Sequence, residues 1–419
     1  MNLFKSLTHR PFALLWSGQS ISRLGDSLYQ IAMAWWVLQK TGSAAAMGTV
    51  LIFSSVPMLI FLLIGGVFTD RFPRLKVMLI SDILSGVVVA TVAALAFASL
   101  LEVWHVYIAS IVFGLVKAFF FPAYTAAVPE ITPGEMLTSA NSLTNLGQRG
   151  ASIVGPALAA TIVAFGGTSL AFGLDALSFF VSAVCIFLIV RSYANFASAP
   201  VAPAAGAAER VETNPRGVHS VLMEIKEGYL AVIASPWLWI TIVVFSLVNA
   251  ACAAPMAVSL PFLVKVNLQK DVGTLGFLTS MSSLGFVIGA LVLGQFARLK
   301  RRGLLGYLST FGMGALIVVF GLTTSLPLLA AAAFLSEASI AVFGLIWTNT
   351  LQELVPRHLL GRVSSIDALG SFVLLPIGFG IAGWATDLAG APLVFMIGGG
   401  STMLLVLLAL THPAIRGLD

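Results

Sequence analysis

Stretches of about twenty uninterrupted apolar residues recur along this 419-residue chain from end to end, and each is long enough to cross a bilayer as a helix. With 58% hydrophobic and 9% charged residues and a mean hydropathy of +1.00, the chain carries more apolar surface than a water-soluble core can hide. The runs are continuous and lack the period-two alternation of a membrane barrel, so the fold class is all-α and integral to the membrane.

Polar punctuation divides the sequence into twelve expected spans, at 11–39, 45–69, 77–100, 103–128, 140–166, 168–190, 236–264, 273–297, 303–324, 326–353, 362–386 and 391–411. Several exceed the minimum length, which predicts tilt or extension beyond the bilayer. The first run is too long for a signal-peptide core, carries Arg23 and Asp26, and reads as a retained helix. With the N-terminus inside, sixteen of the 22 Lys and Arg fall in internal segments and only Lys40, Lys265 and Lys270 in external ones. That asymmetry predicts cytoplasmic termini and accounts for the net charge of +5 without a nucleic-acid partner.

The longest polar interruption, 192–235, begins with an Ala- and Pro-rich tether. It continues as VHSVLMEIKEGYLAVIAS, where Val218, Val221, Leu222, Ile225 and Tyr229 share one helical face, as in an amphipathic helix lying on the inner membrane surface. The expected organisation is a six-helix bundle over 1–191, this linker, and a second bundle over 236–419. FPRLK at 72–76 recurs as FARLK at 296–300. Glu130 and Pro133 recur as Glu353 and Pro356 at nearly the same offset, which points to duplicated halves around a central cavity.

The pattern Gly66-x-x-x-Asp70-Arg71-x-x-Arg74-x-Lys76, together with the six-plus-six plan, resembles the major facilitator superfamily along nearly the whole chain. The resemblance implies the twelve-helix fold in two pseudo-symmetric bundles. It also implies that Gly66, Asp70, Arg71, Arg74 and Lys76 form a conformational latch on the cytoplasmic side. Gly294 and Gln295 replace Asp70 and Arg71 in the second copy, so any latch is asymmetric. GASIVGPALAA, with Gly155, Pro156, Ala159 and Ala160, is similar to the Gly-Pro motif of export antiporters, with Ala-Ala in place of Gly-Gly. The N-terminal stretch HRPFALLWSGQSISRLGDSLYQIAMAWWVL and the region around Pro129 look like the macrolide-efflux-like branch of drug:proton antiporters, which includes relatives of enterobactin exporters. A proton-coupled multidrug or macrolide exporter of the bacterial inner membrane is what this implies. A lipid or siderophore translocator is the alternative on the same fold, and a non-transporting sensor a third class.

Charges inside a membrane require a partner, water or a function. Gln19, Arg23, Asp26 and Gln30 are spaced four, three and four apart and form one stripe of the first span. Asp26 is a candidate proton site, or else a permanently ionised partner of Arg23. Asn145 and Arg149 lie on one face of the fifth span, and Lys117 lies in the fourth; Arg149 cannot release its proton, whereas a desolvated lysine can. Glu337, with no cation in its own half near enough to assign, is a second proton-site candidate, or a neutral acid bonded to a carbonyl. Asp175 and Asp367 are weaker candidates. Phe121, Tyr124 and Trp347 are candidate cavity aromatics for amphipathic ligands, although such residues also form the interfacial belt.

Enzyme chemistry has no support. The sequence holds no Walker-type loop, its five histidines are scattered, and Cys185 and Cys252 fall in different halves. No cofactor is expected. The expected partners are a small molecule, protons and the bilayer, with a functional monomer.

Overall fold

Without water in the bilayer core, each apolar run must satisfy its own backbone, and helices are the local solution. The computed structural model describes residues 3–196, 218–295 and 301–419, and every regular element among them is helical. The helices are α1 (Arg10–Thr41), α2 (Ala44–Arg71), α3 (Arg74–Phe97) and α4 (Val103–Ile131), then Leu137–Phe196, which Gly167 at φ 73° breaks into α5 (137–166) and α6 (168–196). After the linker helix α7 (Val218–Ala234) come α8 (236–267), α9 (Val272–Leu293), α10 (Arg302–Leu322) and α11 (Leu326–Leu354). The last two spans are α12 (357–389), interrupted after Phe372, and α13 (Ala391–Thr411).

Among the described residues, ten helical segments are long and apolar enough to cross a membrane. One of these is the α5–α6 pair, which makes two passes, and the more polar α1, 32 residues long, supplies the twelfth. Span ends follow local chemistry. Gly42 at φ 66° ends α1 in the left-handed conformation, and the next residue, Ser43, caps α2 by accepting from the Ala46 N–H at 3.2 Å. Within α8, two π-helical stretches, Asn249–Ala253 and Leu263–Asn267, flank a segment containing Pro255 and Pro261, whose missing N–H groups disturb the regular ladder.

The duplication read from the sequence appears as matched packing. A Cβ on Gly65 would collide with the α4 backbone at Ala118, and one on Gly289 would lie 2.7 Å from the Ala338 carbonyl oxygen on α11. Equivalent glycines thus bring equivalent helix pairs together, since small residues let backbones approach where no hydrophobic force separates protein from lipid. Gly65, rather than Gly66, makes this contact; a Cβ on Gly66 would meet open space.

Twelve passes return the chain to the side it started from, so α1 begins and α13 ends on one face, hereafter the terminal face. The halves meet toward the opposite, far face. There Gly48 of α2 packs on Phe379 of α12, Gly383 of α12 on Ala44 and Ala45, and Gly276 of α9 on Pro156 and Ala160 of α5. Asp387 of α12 accepts from the Ala44 N–H at 2.6 Å, the Ala45 N–H at 3.1 Å and the Ser43 hydroxyl. A carboxylate of one half therefore caps the first turn of a helix in the other, where the helix dipole favours negative charge. Lys265 of α8 adds a cation 5.5 Å from the Trp35 ring centre. On the terminal face, Arg74 pairs with Glu130 at 3.1 Å and Lys5 with Glu135 at 3.7 Å inside the first half, while Arg302 pairs with Glu353 at 2.6 Å inside the second.

The linker helix packs on the second half. Glu227 pairs with Arg362, and Gly228 packs on Arg362 and Ile366, so α7 is docked against the start of α12. Tyr229, expected on its membrane face, is exposed, whereas Val232 is buried. The side chains of 218–225, the tether 197–217 and the FARLK segment lie outside the described residues, as does the Asp70 side chain.

Replacing Asp387 with Ala should weaken far-face closure by about 1 kcal/mol, the typical cost of losing a cap. That corresponds to a roughly fivefold population shift, read as a longer spin-label distance between Gln39 and Leu388.

Candidate functional site

Where α1, α2 and α4 of the first half face α8 and α9 of the second, the bundle leaves a cavity of about 350 Å³ near the far face. Its walls are mainly apolar, with Met33, Met47, Met256, Leu260, Val50 and Phe113 among them. Methionine is flexible and polarizable, and a Met-rich wall adapts to ligands of varied shape. The π-helical distortions of α8 bracket its contribution, Met256 to Pro261.

Charge enters this wall at two points, Asp26 on α1 and Lys117 on α4, with Gln30 one turn beyond Asp26. The stripe on α1 therefore splits. Asp26 and Gln30 reach the cavity, but Gln19 is buried away from it, donating from Nε2 to the Ser182 hydroxyl at 2.8 Å and to Asp82 Oδ2 at 3.3 Å. Arg23 turns toward α5, donating to the Thr144 carbonyl at 3.3 Å with its guanidinium 5.0 Å from the Tyr124 ring centre. Asp26 and Arg23 are thus separated in role although one helical turn apart.

The aromatic lining differs from the expected set. Tyr29 and Phe113 line the cavity, their rings 5.1 Å apart. Tyr124 is taken up beneath Arg23, Trp347 donates to Asp367 at 3.0 Å and stacks on Phe343, and Phe121 is exposed. The Tyr29 hydroxyl is buried without a hydrogen-bond partner.

A second charged centre bridges the halves. The Arg149 guanidinium of α5 lies 4.1 Å from the Phe286 ring centre on α9, and its charge interacts with that of Glu337 on α11. Glu337 therefore has a cationic neighbour after all, supplied by the other half and invisible to a search of its own half. Asn145, one turn from Arg149, is exposed on α5. Gly155 of the Gly-Pro motif packs against Ser27 of α1, and Pro156 and Ala160 against Gly276 of α9, so that motif forms part of the closed seam between halves.

Behind the cavity wall, α6 brings Asp175 against α1, and Asp175, Asp26 and Lys117 interact electrostatically. Asp82 of α3, which also interacts with Asp26, was not singled out by the sequence reading. The available signal was the cost rule itself: Asp82 is a lone carboxylate eight residues into α3.

The family model for the Major Facilitator Superfamily matches residues 15–373 and 247–416. Macrolide efflux protein A of Streptococcus pyogenes is 25% identical over 414 residues, covering 97% of this chain and 96% of that protein. The multidrug efflux pump Tap of Mycolicibacterium fortuitum is 27% identical over 420 residues (98% and 97% covered), and the enterobactin exporter EntS of Escherichia coli K12 is 27% identical over 420 residues (98% and 95% covered). Among solved structures, the peptide transporter POT in complex with sulfate superposes with a TM-score of 0.71 at 14% identity, covering 100% of this chain and 99% of that one. Twelve helices in two matched halves, a cavity walled by both and a family model spanning nearly the whole length agree: this chain is a membrane transporter belonging to the major facilitator superfamily.

Proposed function

We propose that the chain is a proton-coupled exporter of amphipathic, lipophilic small molecules, working by alternating access as a monomer in the bacterial cytoplasmic membrane with both termini inside. The observation that carries this reading is the cavity of about 350 Å³ walled by both halves, Met-rich and mainly apolar, with Asp26 and Lys117 on its wall. A ligand there is held by shape and dispersion, with one carboxylate to attract a cationic group. The relatives named for macrolide efflux and multidrug efflux support export of this ligand class.

With the terminal face cytoplasmic, closure at Asp387, Gly48 and Gly383 makes this an inward-facing conformer, ready to load from the cytoplasm. Rocking the halves about the cavity opens the far face and brings the terminal ends together. Arg74, held by Glu130 of its own half here, then becomes available with Asp70, Arg71, Lys76 and the Gly66 turn to latch the closed cytoplasmic side. Asp26 and Glu337 carry the coupling. A proton arriving from outside neutralises Asp26 and favours ligand release. A proton on Glu337 frees Arg149 and loosens the α5–α9 contact.

A siderophore or lipid translocator is the second reading, favoured by the relative named as an enterobactin exporter. An anionic ligand would need a cationic wall; Lys117 supplies one such group at the cavity, while Arg23 and Arg149 are turned to Tyr124 and Phe286.

In liposomes containing the purified protein and an internal pH-reporting dye, lipophilic cations or macrolides should drive proton movement. Asp26→Asn and Glu337→Gln should each lower it at least about tenfold, the scale of losing one charge interaction of about 1.4 kcal/mol. Undiminished uphill pumping by both variants and by the double variant would rule out the carboxylate mechanism. Proton-silent transport restricted to siderophores or lysolipids would establish the second reading. Arg149→Gln should reduce transport less in a Glu337→Gln background than in the unmodified protein, since the two charges then no longer interact; equal losses in both backgrounds would show that they act independently.

A further inference from the structure

Asp175 and Asp82 lie in a polar seam that runs inside the first half, where one stripe from each of α1, α3 and α6 meets the others. From α6 come Asp175, Ser178 and Ser182, at 0%, 6% and 0% exposure. From α1 come Gln19 and Ser22, and from α3 Asp82 and Ser85, all buried. Gly25 makes the seam possible, since a Cβ there would lie 2.5 Å from Asp175 Oδ1. The Asp175 carboxyl thus rests against α1 at the residue next to Asp26, which lines the cavity. At the other end, Gln19 joins Ser182 and Asp82. Gln19 and Asp26 are seven residues apart on α1, about 10 Å along its axis, with Gln19 nearer the terminal face.

Satisfaction of these groups is incomplete. The Ser178 hydroxyl donates to the Asp175 carbonyl at 2.8 Å and lies 3.4 Å from Oδ1, while Asp175 Oδ2 is buried with no partner. The neighbouring Tyr29 hydroxyl is also unpartnered. The ionisable groups facing Asp175 are Asp26 and Tyr29 of α1 and Lys117 of α4, with Asp82 reached through Asp26. Arg23 is engaged with Thr144 and Tyr124, and the Cys185 thiol lies toward Gly18. One lysine therefore faces three carboxylates, two of which, Asp175 and Asp82, are buried. Buried carboxylates in excess of their cations are retained as protonated acids or by sharing a proton.

We propose that Asp175 and Asp82 are proton-binding groups, and that a proton taken up at Asp26 on the cavity wall is held on Asp175 and passed along the seam to Asp82. Each step moves one proton from a carboxylic acid to a carboxylate, relayed by the Ser178 and Ser182 hydroxyls, while the Gln19 amide, donating to Ser182 and Asp82, holds the receiving end in place. Proton and ligand then use different routes through the first half, meeting only at Asp26. This rests on the proton-coupled reading above and adds the path to it.

The test needs no ligand: infrared difference spectra between acidic and alkaline pH, recorded on the purified full-length protein in lipid. The unmodified protein should show protonated-carboxyl bands that change with pH, with separate components removed by Asp175→Asn and Asp82→Asn. Asp26→Asn should shift the Asp175 component. Because Asp26 lies on the cavity wall, that variant reports on the seam even if Asp175→Asn fails to fold. Carboxyl bands unaffected by all three substitutions, or bands at Asp175 and Asp82 that do not respond to pH, would overturn the proposal. Flux in liposomes separates this from the wider reading: ligand transport without proton movement removes the coupling, whereas a pH-responsive Asp175 band in that same protein keeps proton binding in the seam.

Discussion

The two halves of this transporter are held together by charged groups whose partners lie in the opposite half. Asp387, exposed at the far face, accepts from the first N–H groups of α2 and closes that face. Arg149 of α5 lies over the Phe286 ring of α9 and interacts electrostatically with Glu337 of α11. In both cases the partner belongs to the opposite half, so an electrostatic need becomes a conformational preference.

Small residues supply the complementary half of the design. Gly48, Gly276 and Gly383 let backbones of different halves touch near the far face, while Gly65 and Gly289 do the same within each half. In lipid, such close approach is the main source of helix attraction, because apolar side chains gain little by leaving one hydrocarbon surface for another. The exposed ranks of large apolar residues, such as Ile377, Ile381 and Trp384 on α12, form the surface the lipid covers. The two kinds of contact are layered, one set inside each half and the other between them.

The first half carries most of the buried charge. Asp26, Asp82, Asp175 and Lys117 interact within it, whereas the second half contributes Glu337 and, through Trp347, the tethered Asp367. Duplication gave both halves the same helix pairing, and the chemistry then diverged. The end of α2 follows the same pattern, with acidic and basic residues at Asp70 and Arg71 but Gly294 and Gln295 in the second copy.

The fold was legible in the amino-acid sequence because its cause is local. A run of twenty apolar residues must become a helix in a bilayer whatever surrounds it, and the break between α5 and α6 falls at Gly167, between the two spans expected there. The duplication was legible as well, since the offset linking Gly65 to Gly289 is written in the residues. The candidate site was legible only as an inventory. Spacing put Gln19, Arg23, Asp26 and Gln30 on one stripe, but a stripe wider than one neighbour can face several elements, and the packing of α3 and α4 around α1 decided which residue met the cavity, which met Tyr124 and which met Asp82. Glu337 acquired Arg149 from 188 positions away in the sequence, and Asp175 acquired Asp26 across a glycine. The sequence by itself determined how many helices form, where they end and that some must carry charge, because those follow from backbone satisfaction and transfer cost residue by residue. Only the tertiary structure decided which charges meet, because a Coulomb interaction depends on distance through space and the chain records only distance along itself.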